Sequence, residues 1–126
     1  MLLLDTCIVI DYLRNKPDAV RFIDNADKSH FYLSTAVTIE LYKGVRDRIE
    51  LRTLQKEIQR FKLLEIDQNI SEIANKLAET YALSHKMGLA DTLIAATALV
   101  YDLELRTYNL KDFGFIPSIR VSNDLD

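Results

Sequence analysis

The chain has one cysteine, two histidines, two prolines, three glycines and no tryptophan among its 126 residues. A lone Cys7 can close no intrachain disulfide and builds no cysteine zinc site, which predicts a cytoplasmic protein. His30 and His85 stand in no metal-ligand spacing and read as surface or capping side chains. So little glycine and proline leaves no flexible linker, and there is no repeat or low-complexity stretch. Residues 1–126 are therefore expected to form a single domain around one core. No apolar run approaches the length of a membrane span, and no basic region precedes the first apolar residues, so neither a membrane segment nor a secretory signal is expected. Positive charge is not in excess either: 16 Lys and Arg face 19 Asp and Glu, a net charge of −3. A passive binder of phosphate backbones is usually basic. An acidic chain remains compatible with an enzyme that holds divalent cations.

What is present is an alternation of short apolar runs and helical stripes. Leu2–Leu4 is too short for a helix core and reads as a strand buried on both faces. Further strands are expected near 31–33, 63–66, 103–107 and 119–121. Between them, Ile8, Val9, Tyr12 and Leu13 mark one helical face, and Pro17 suits the first turn of a helix running to about Ala26. Ser34-Thr35 offers a cap for a helix over 36–45. Leu51, Leu54, Ile58 and Phe61 stripe a mixed-charge segment within 46–62. Asn69 and Glu72 form a capping-box pattern ahead of Ile70, Ile73, Ala74, Leu77, Ala78 and Tyr81, which predicts a helix ending near His85. Met87-Gly88 makes a turn into an alanine-rich helix from Leu89 to Leu99. The alternation predicts an α/β fold: a mostly parallel central sheet of four to five strands with helices on both faces.

Four carboxylates fall at informative places. Asp5 ends the first strand, at the edge where open α/β sheets keep their ligand crevice; it is equally a good helix cap. Glu40 is framed on its helix by Ala36, Val37, Leu41 and Gly44, an odd setting for a solvated charge, unless the side chain reaches water from the rim. Asp91 lies in the first turn of its helix, where the dipole alone favours an acid. Asp112 follows the fourth strand, where Asp and Asn also form turns. Right-handed crossovers would bring all four to one edge. Two like charges about 4 Å apart repel by roughly 4 kcal/mol at an effective dielectric near 20. Such a cluster must raise its pKa values or be neutralised by cations. Oxygen ligands suit Mg²⁺ or Mn²⁺, ions that promote phosphodiester hydrolysis.

These residues resemble the PIN domain, and most nearly the VapC-type toxins of bacterial toxin–antitoxin pairs. The resemblance rests on Leu4-Asp5-Thr6 with Ile10-Asp11, on Glu40, on Ala90-Asp91-Thr-Leu-Ile-Ala-Ala-Thr-Ala98 and on Thr107-Tyr-Asn109-Leu-Lys-Asp112-Phe113. It spans essentially the whole chain. It implies a PIN-like fold and a Mg²⁺-dependent endoribonuclease, with Mn²⁺ a possible substitute, that cuts tRNA, rRNA or mRNA and is silenced by a VapB-type antitoxin. By position, Asp5, Glu40, Asp91 and Asp112 would be the metal-binding and catalytic acids, with Thr6 and Asn109 supporting them. Cys7 stands where the family often has Asn or Ser, and no chemistry is attached to its thiol. The implied assembly is a homodimer, joined by antitoxin. Rival classes fit less well. A haloacid-dehalogenase-type phosphotransferase wants a second Asp where Cys7 stands, and a receiver domain wants paired acids near Asp5 and a late lysine. A PIN-type RNA-processing nuclease outside a toxin operon, or a non-catalytic PIN-like binding protein, are the remaining alternatives.

Overall fold

The computed structural model describes residues 1–126, apart from the side chain of Lys28. Strand β1 (Leu2–Leu4) leads into α1 (Thr6–Leu13) and α2 (Pro17–Asp24). Then come β2 (Phe31–Ser34), α3 (Thr35–Lys43), α4 (Arg48–Ile58) and β3 (Lys62–Leu64). Next are α5 (Gln68–Thr80), α6 (Leu89–Tyr101) and β4 (Glu104–Arg106), a 3₁₀ turn at Leu110–Asp112, and β5 (Val121–Ser122). The five strands form one wholly parallel sheet in the order β3-β2-β1-β4-β5. This is the α/β architecture that the alternation predicts. Among the described residues no helix is long and apolar enough to cross a membrane.

The core explains why β1 sits in the middle. Leu3 and Leu4 are fully buried, and they lie between Phe31 and Leu33 of β2 and Leu105 of β4, which are buried as well. A strand without a polar side chain has no solvated face, so it needs a neighbour on each edge and cover above and below. Much of that cover is α6, whose Ile94, Ala95, Ala96 and Ala98 are buried. Its small side chains let the helix axis approach the sheet and the neighbouring α3 and α5 closely. The chain adds β2 and β3 on one side of β1, then returns to add β4 and β5 on the other. The carboxyl ends of β1 and β4 therefore flank the point where strand order reverses, the crevice in which open α/β sheets bind ligands.

Local caps fix where the helices begin. Asp5, Ser34 and Asp47 each accept a backbone N–H at the start of α1, α3 and α4, and Pro17 opens α2 as expected. The start of α5 corrects the sequence reading. Its cap is Asp67, which accepts from the Ile70 N–H at 2.9 Å, and not Asn69. The helix also stops at Thr80 instead of running to His85. β1 lies where the sequence places it, and the other expected strands shift by one or two residues at an end: β3 is Lys62–Leu64 and β5 is Val121–Ser122.

Candidate active site

The Asp5 carboxylate is the buried member of the set, with only 5% of the residue exposed. It is held at both oxygens. The Thr6 N–H donates to Oδ1 at 2.8 Å, and the Thr107 hydroxyl, from the end of β4, donates to Oδ2 at 2.7 Å. The Cys7 thiol lies 3.7 Å from the same Oδ2. The two readings of Asp5, cap and crevice acid, are thus both realised: it opens α1 and faces the switch point between β1 and β4. Burial pushes its pKa up, against the pull of the hydrogen bonds from Thr107 and Thr6.

Glu40 reaches the same place from α3. Its side chain is exposed, so it is a rim carboxylate and not a buried one. It is nevertheless anchored: the Thr6 hydroxyl donates to Oε1 at 2.6 Å. Thr6 therefore gives its backbone N–H to one acid and its hydroxyl to another, which ties Glu40 to Asp5. Asp91 stands in the first turn of α6, two residues inside the first helical position. The cap position there is Gly88, which offers no side chain. Asp112 closes the 3₁₀ turn after β4 and is exposed.

The four acids share one electrostatic neighbourhood. The Asp91 pKa is pushed up to about 6, first by burial and then by the charges of Asp5, Asp112 and Glu40. None of the described ion pairs involves any of the four: the arginines pair with Asp18, Glu50, Glu57, Glu104 and Asp102. The donor set is oxygen only, and it suits a hard divalent cation such as Mg²⁺ or Mn²⁺. Among the described residues, no three His, Cys, Asp or Glu side chains already close on one ion.

Asn109 enters the described hydrogen bonds through its backbone. Its backbone N–H donates to the Thr107 hydroxyl at 3.0 Å, and its carbonyl accepts the Asp112 N–H at 3.0 Å. Sequence reasoning passed over Thr107 as a single residue. It was visible only as the first letter of the Thr-x-Asn-x-x-Asp-Phe segment.

Comparison with known proteins agrees with this geometry. The PIN domain model matches residues 2–113. Ribonuclease VapC19 of Mycobacterium tuberculosis is 34% identical over 125 residues, covering 95% of this chain and 98% of its own. The tRNA(fMet)-specific endonuclease VapC of Salmonella typhimurium is 28% identical, with 96% of each chain covered. Among solved structures, a toxin–antitoxin complex from Klebsiella pneumoniae superposes with a TM-score of 0.80 at 28% identity, covering 98% of this chain and 97% of that one. A parallel five-stranded sheet, the acids at its switch point and these likenesses agree: the chain belongs to the PIN-domain family, among its VapC ribonucleases.

Proposed function

We propose that this protein is a Mg²⁺-dependent endoribonuclease, with Mn²⁺ able to substitute, and that it acts as the toxin of a VapBC-type pair. The observation that carries the reading is the gathering of carboxylates at the switch point: Asp5 and Glu40 are joined through Thr6, and Asp91 stands half-buried where burial and the charges of Asp5, Asp112 and Glu40 push its pKa up to about 6. A fold that gathers unpaired carboxylates at its ligand crevice loses stability to their repulsion. A divalent cation turns that cost into binding energy.

Asp5, Glu40, Asp91 and Asp112 would hold the ion. Bound there, it would supply activation of water for attack at phosphorus and offset the charge that builds on the phosphodiester. The protein's own share is positional. Thr6 and Thr107 hold the two Asp5 oxygens and one Glu40 oxygen, which limits how far these carboxylates must reorganise when metal and substrate arrive. Relatives named as ribonucleases and a tRNA-specific endonuclease support RNA as the substrate class.

The toxin–antitoxin complex among the structural neighbours supports an antitoxin partner. Ile39 and Tyr42 on α3 and Ile49 on α4 are exposed apolar side chains, which supports a covering protein surface and the expected homodimer. The test incubates purified protein with total RNA and Mg²⁺ or Mn²⁺, then with EDTA after removal of trace metal. Cutting should stop in EDTA; cutting that persists there sinks the metal mechanism. Light scattering should give a dimer at micromolar concentration. The product of a short adjacent reading frame should co-purify and silence the cutting, and a stable monomer with no such partner would count against the assembly.

A further inference from the structure

Thr107 is fully buried just after β4, and its hydroxyl contacts both the Asp5 carboxylate and the backbone of the segment that carries Asp112. Oγ1 lies 2.7 Å from Asp5 Oδ2 and 3.0 Å from the Asn109 amide nitrogen. A hydroxyl has one proton to give and two lone pairs. An ionised carboxylate only accepts and an amide N–H only donates, so both directions are fixed. Thr107 gives its proton to Asp5 and receives that of Asn109. The chain of contacts then continues, because the Asn109 carbonyl accepts the N–H of Asp112 at 3.0 Å. Hydrogen bonds and the Asn109 backbone together therefore link the Asp5 carboxylate, through Thr107, to the backbone of the 3₁₀ turn that carries Asp112. Thr97, equally buried, offers a contrast: its hydroxyl donates to Leu93 O of its own helix at 2.8 Å and serves α6 alone.

We propose that Thr107 is a positioning residue that couples the two strand ends. It sets the Asp5 carboxylate and, through Asn109, the turn carrying Asp112, so that both acids present themselves to the same divalent cation. This rests on the metal-dependent reading above. Metal ligands are oriented by the groups that hydrogen-bond them, and removing such a group typically weakens metal affinity by about 10–100-fold. Valine has the shape of threonine without the hydroxyl, so it deletes both bonds while filling the space. Serine keeps the hydroxyl.

The experiment measures Mn²⁺ affinity by calorimetry on the purified protein, with RNA cleavage alongside. Thr107→Val should weaken Mn²⁺ binding by about 10–100-fold. Thr107→Ser should restore most of it, and Thr97→Val should leave it at the wild-type value. Wild-type affinity in a folded Thr107→Val protein, or a serine variant no better than the valine one, would overturn the coupling. Should Thr107→Val not fold, Thr107→Ala carries the comparison; loss of the fold in both would make the hydroxyl structural and overturn the proposal. A wild type that takes up no Mn²⁺ would remove the metal reading itself. A wild type that binds while Thr107→Val binds equally well removes only the coupling.

Discussion

Acids on α4 and acids at the switch point are the same residue types under opposite conditions. On α4, Glu50 receives the Arg46 guanidinium at 2.8 Å and the Arg46 backbone N–H at 2.8 Å, which lower its pKa. Nearby Glu57 is paired with Arg60, and Asp47 caps the helix. At the switch point Asp91 is pushed up to about 6 and pairs with no arginine. The acids of this surface helix thus find counter-charges just beyond its two ends, whereas among the described residues no ion pair involves the crevice acids. Net charge cannot distinguish the two regions; the location of the partners does. Under the metal-dependent reading proposed above, a divalent cation would neutralise the crevice acids, as arginines neutralise Glu50 and Glu57.

The largest break in that comparison is expected in activity. Asp5→Asn keeps the side chain's size and its capping oxygen but removes the charge. RNA cleavage should fall by about 10² or more, as when a transition-state contact is lost. Glu50→Gln should leave cleavage unchanged. Both are read from single-turnover cutting of one RNA at saturating Mn²⁺. Equal activity in wild type and Asp5→Asn would place the chemistry elsewhere.

The next effect is on stability and depends on pH. Asp91 binds its proton more tightly folded, at about 6, than unfolded, where its ordinary value is 3.8. The charged form is therefore the one the fold disfavours. The destabilisation is full above about pH 6, shrinks as pH falls toward 3.8, and is absent below that. In EDTA at pH 7, Asp91→Asn should melt higher than wild type, by about 1–2 kcal/mol after discounting for solvent screening and the lost helix-dipole contact. The advantage should shrink as pH falls below about 6 and disappear by about pH 3, where wild-type Asp91 is largely protonated in both states. Adding Mn²⁺ should stabilise the wild type more than the mutant, since an ion that binds only the native state raises its stability by mass action. A mutant less stable in EDTA at pH 7, yet fully active, would mean that Asp91 serves its helix and not an ion.

Much of this was legible in the sequence, for a physical reason. Leu2–Leu4 has no polar side chain, so it had to be central, and Asp5 directly after it had to lie at the carboxyl edge. The burial of Asp5 and the exposure of Glu40 were not legible, because both depend on what β4 and α3 pack against. Thr107 was missed because a threonine ending a strand looks like an ordinary β-former; its role lies in a contact to a residue at the other end of the chain. The end of α5 was misjudged for a similar reason. No Gly or Pro interrupts 69–86, yet the helix stops where Tyr81 packs edge-on against Phe115 at 4.8 Å, and His85 stacks on the same ring at 3.7 Å. A partner 30 or more residues away overrides local propensity.

A smaller effect belongs to the misread cap. Asp67→Ala should cost about 1 kcal/mol, the usual loss when an N-cap acceptor is removed, because the Ile70 N–H loses its partner. Asn69→Ala should cost much less, since Asn69 lies inside α5. Urea denaturation distinguishes them, and equal midpoints would return the cap to Asn69.

The smallest effect tests the paired side of the comparison. Glu50 has a folded-state pKa below its ordinary value, so its stabilising contribution is present above about 4.5 and is lost as pH falls through the folded value. The pair joins an i,i+4 arginine to glutamate across an exposed surface, where water and salt screen most of the attraction. Glu50→Gln keeps an acceptor for the Arg46 N–H and loses only the charge. Its melting temperature at pH 7 should drop slightly in low salt and match wild type in about 1 M salt, where the screening length is only about 3 Å. Asp91→Asn should move the opposite way at the same pH, and its response to salt should be weaker because Asp91 is half-buried. If both substitutions shifted stability in the same direction in EDTA, the crevice acids would be no different from those on α4, and no cation would be needed to account for them.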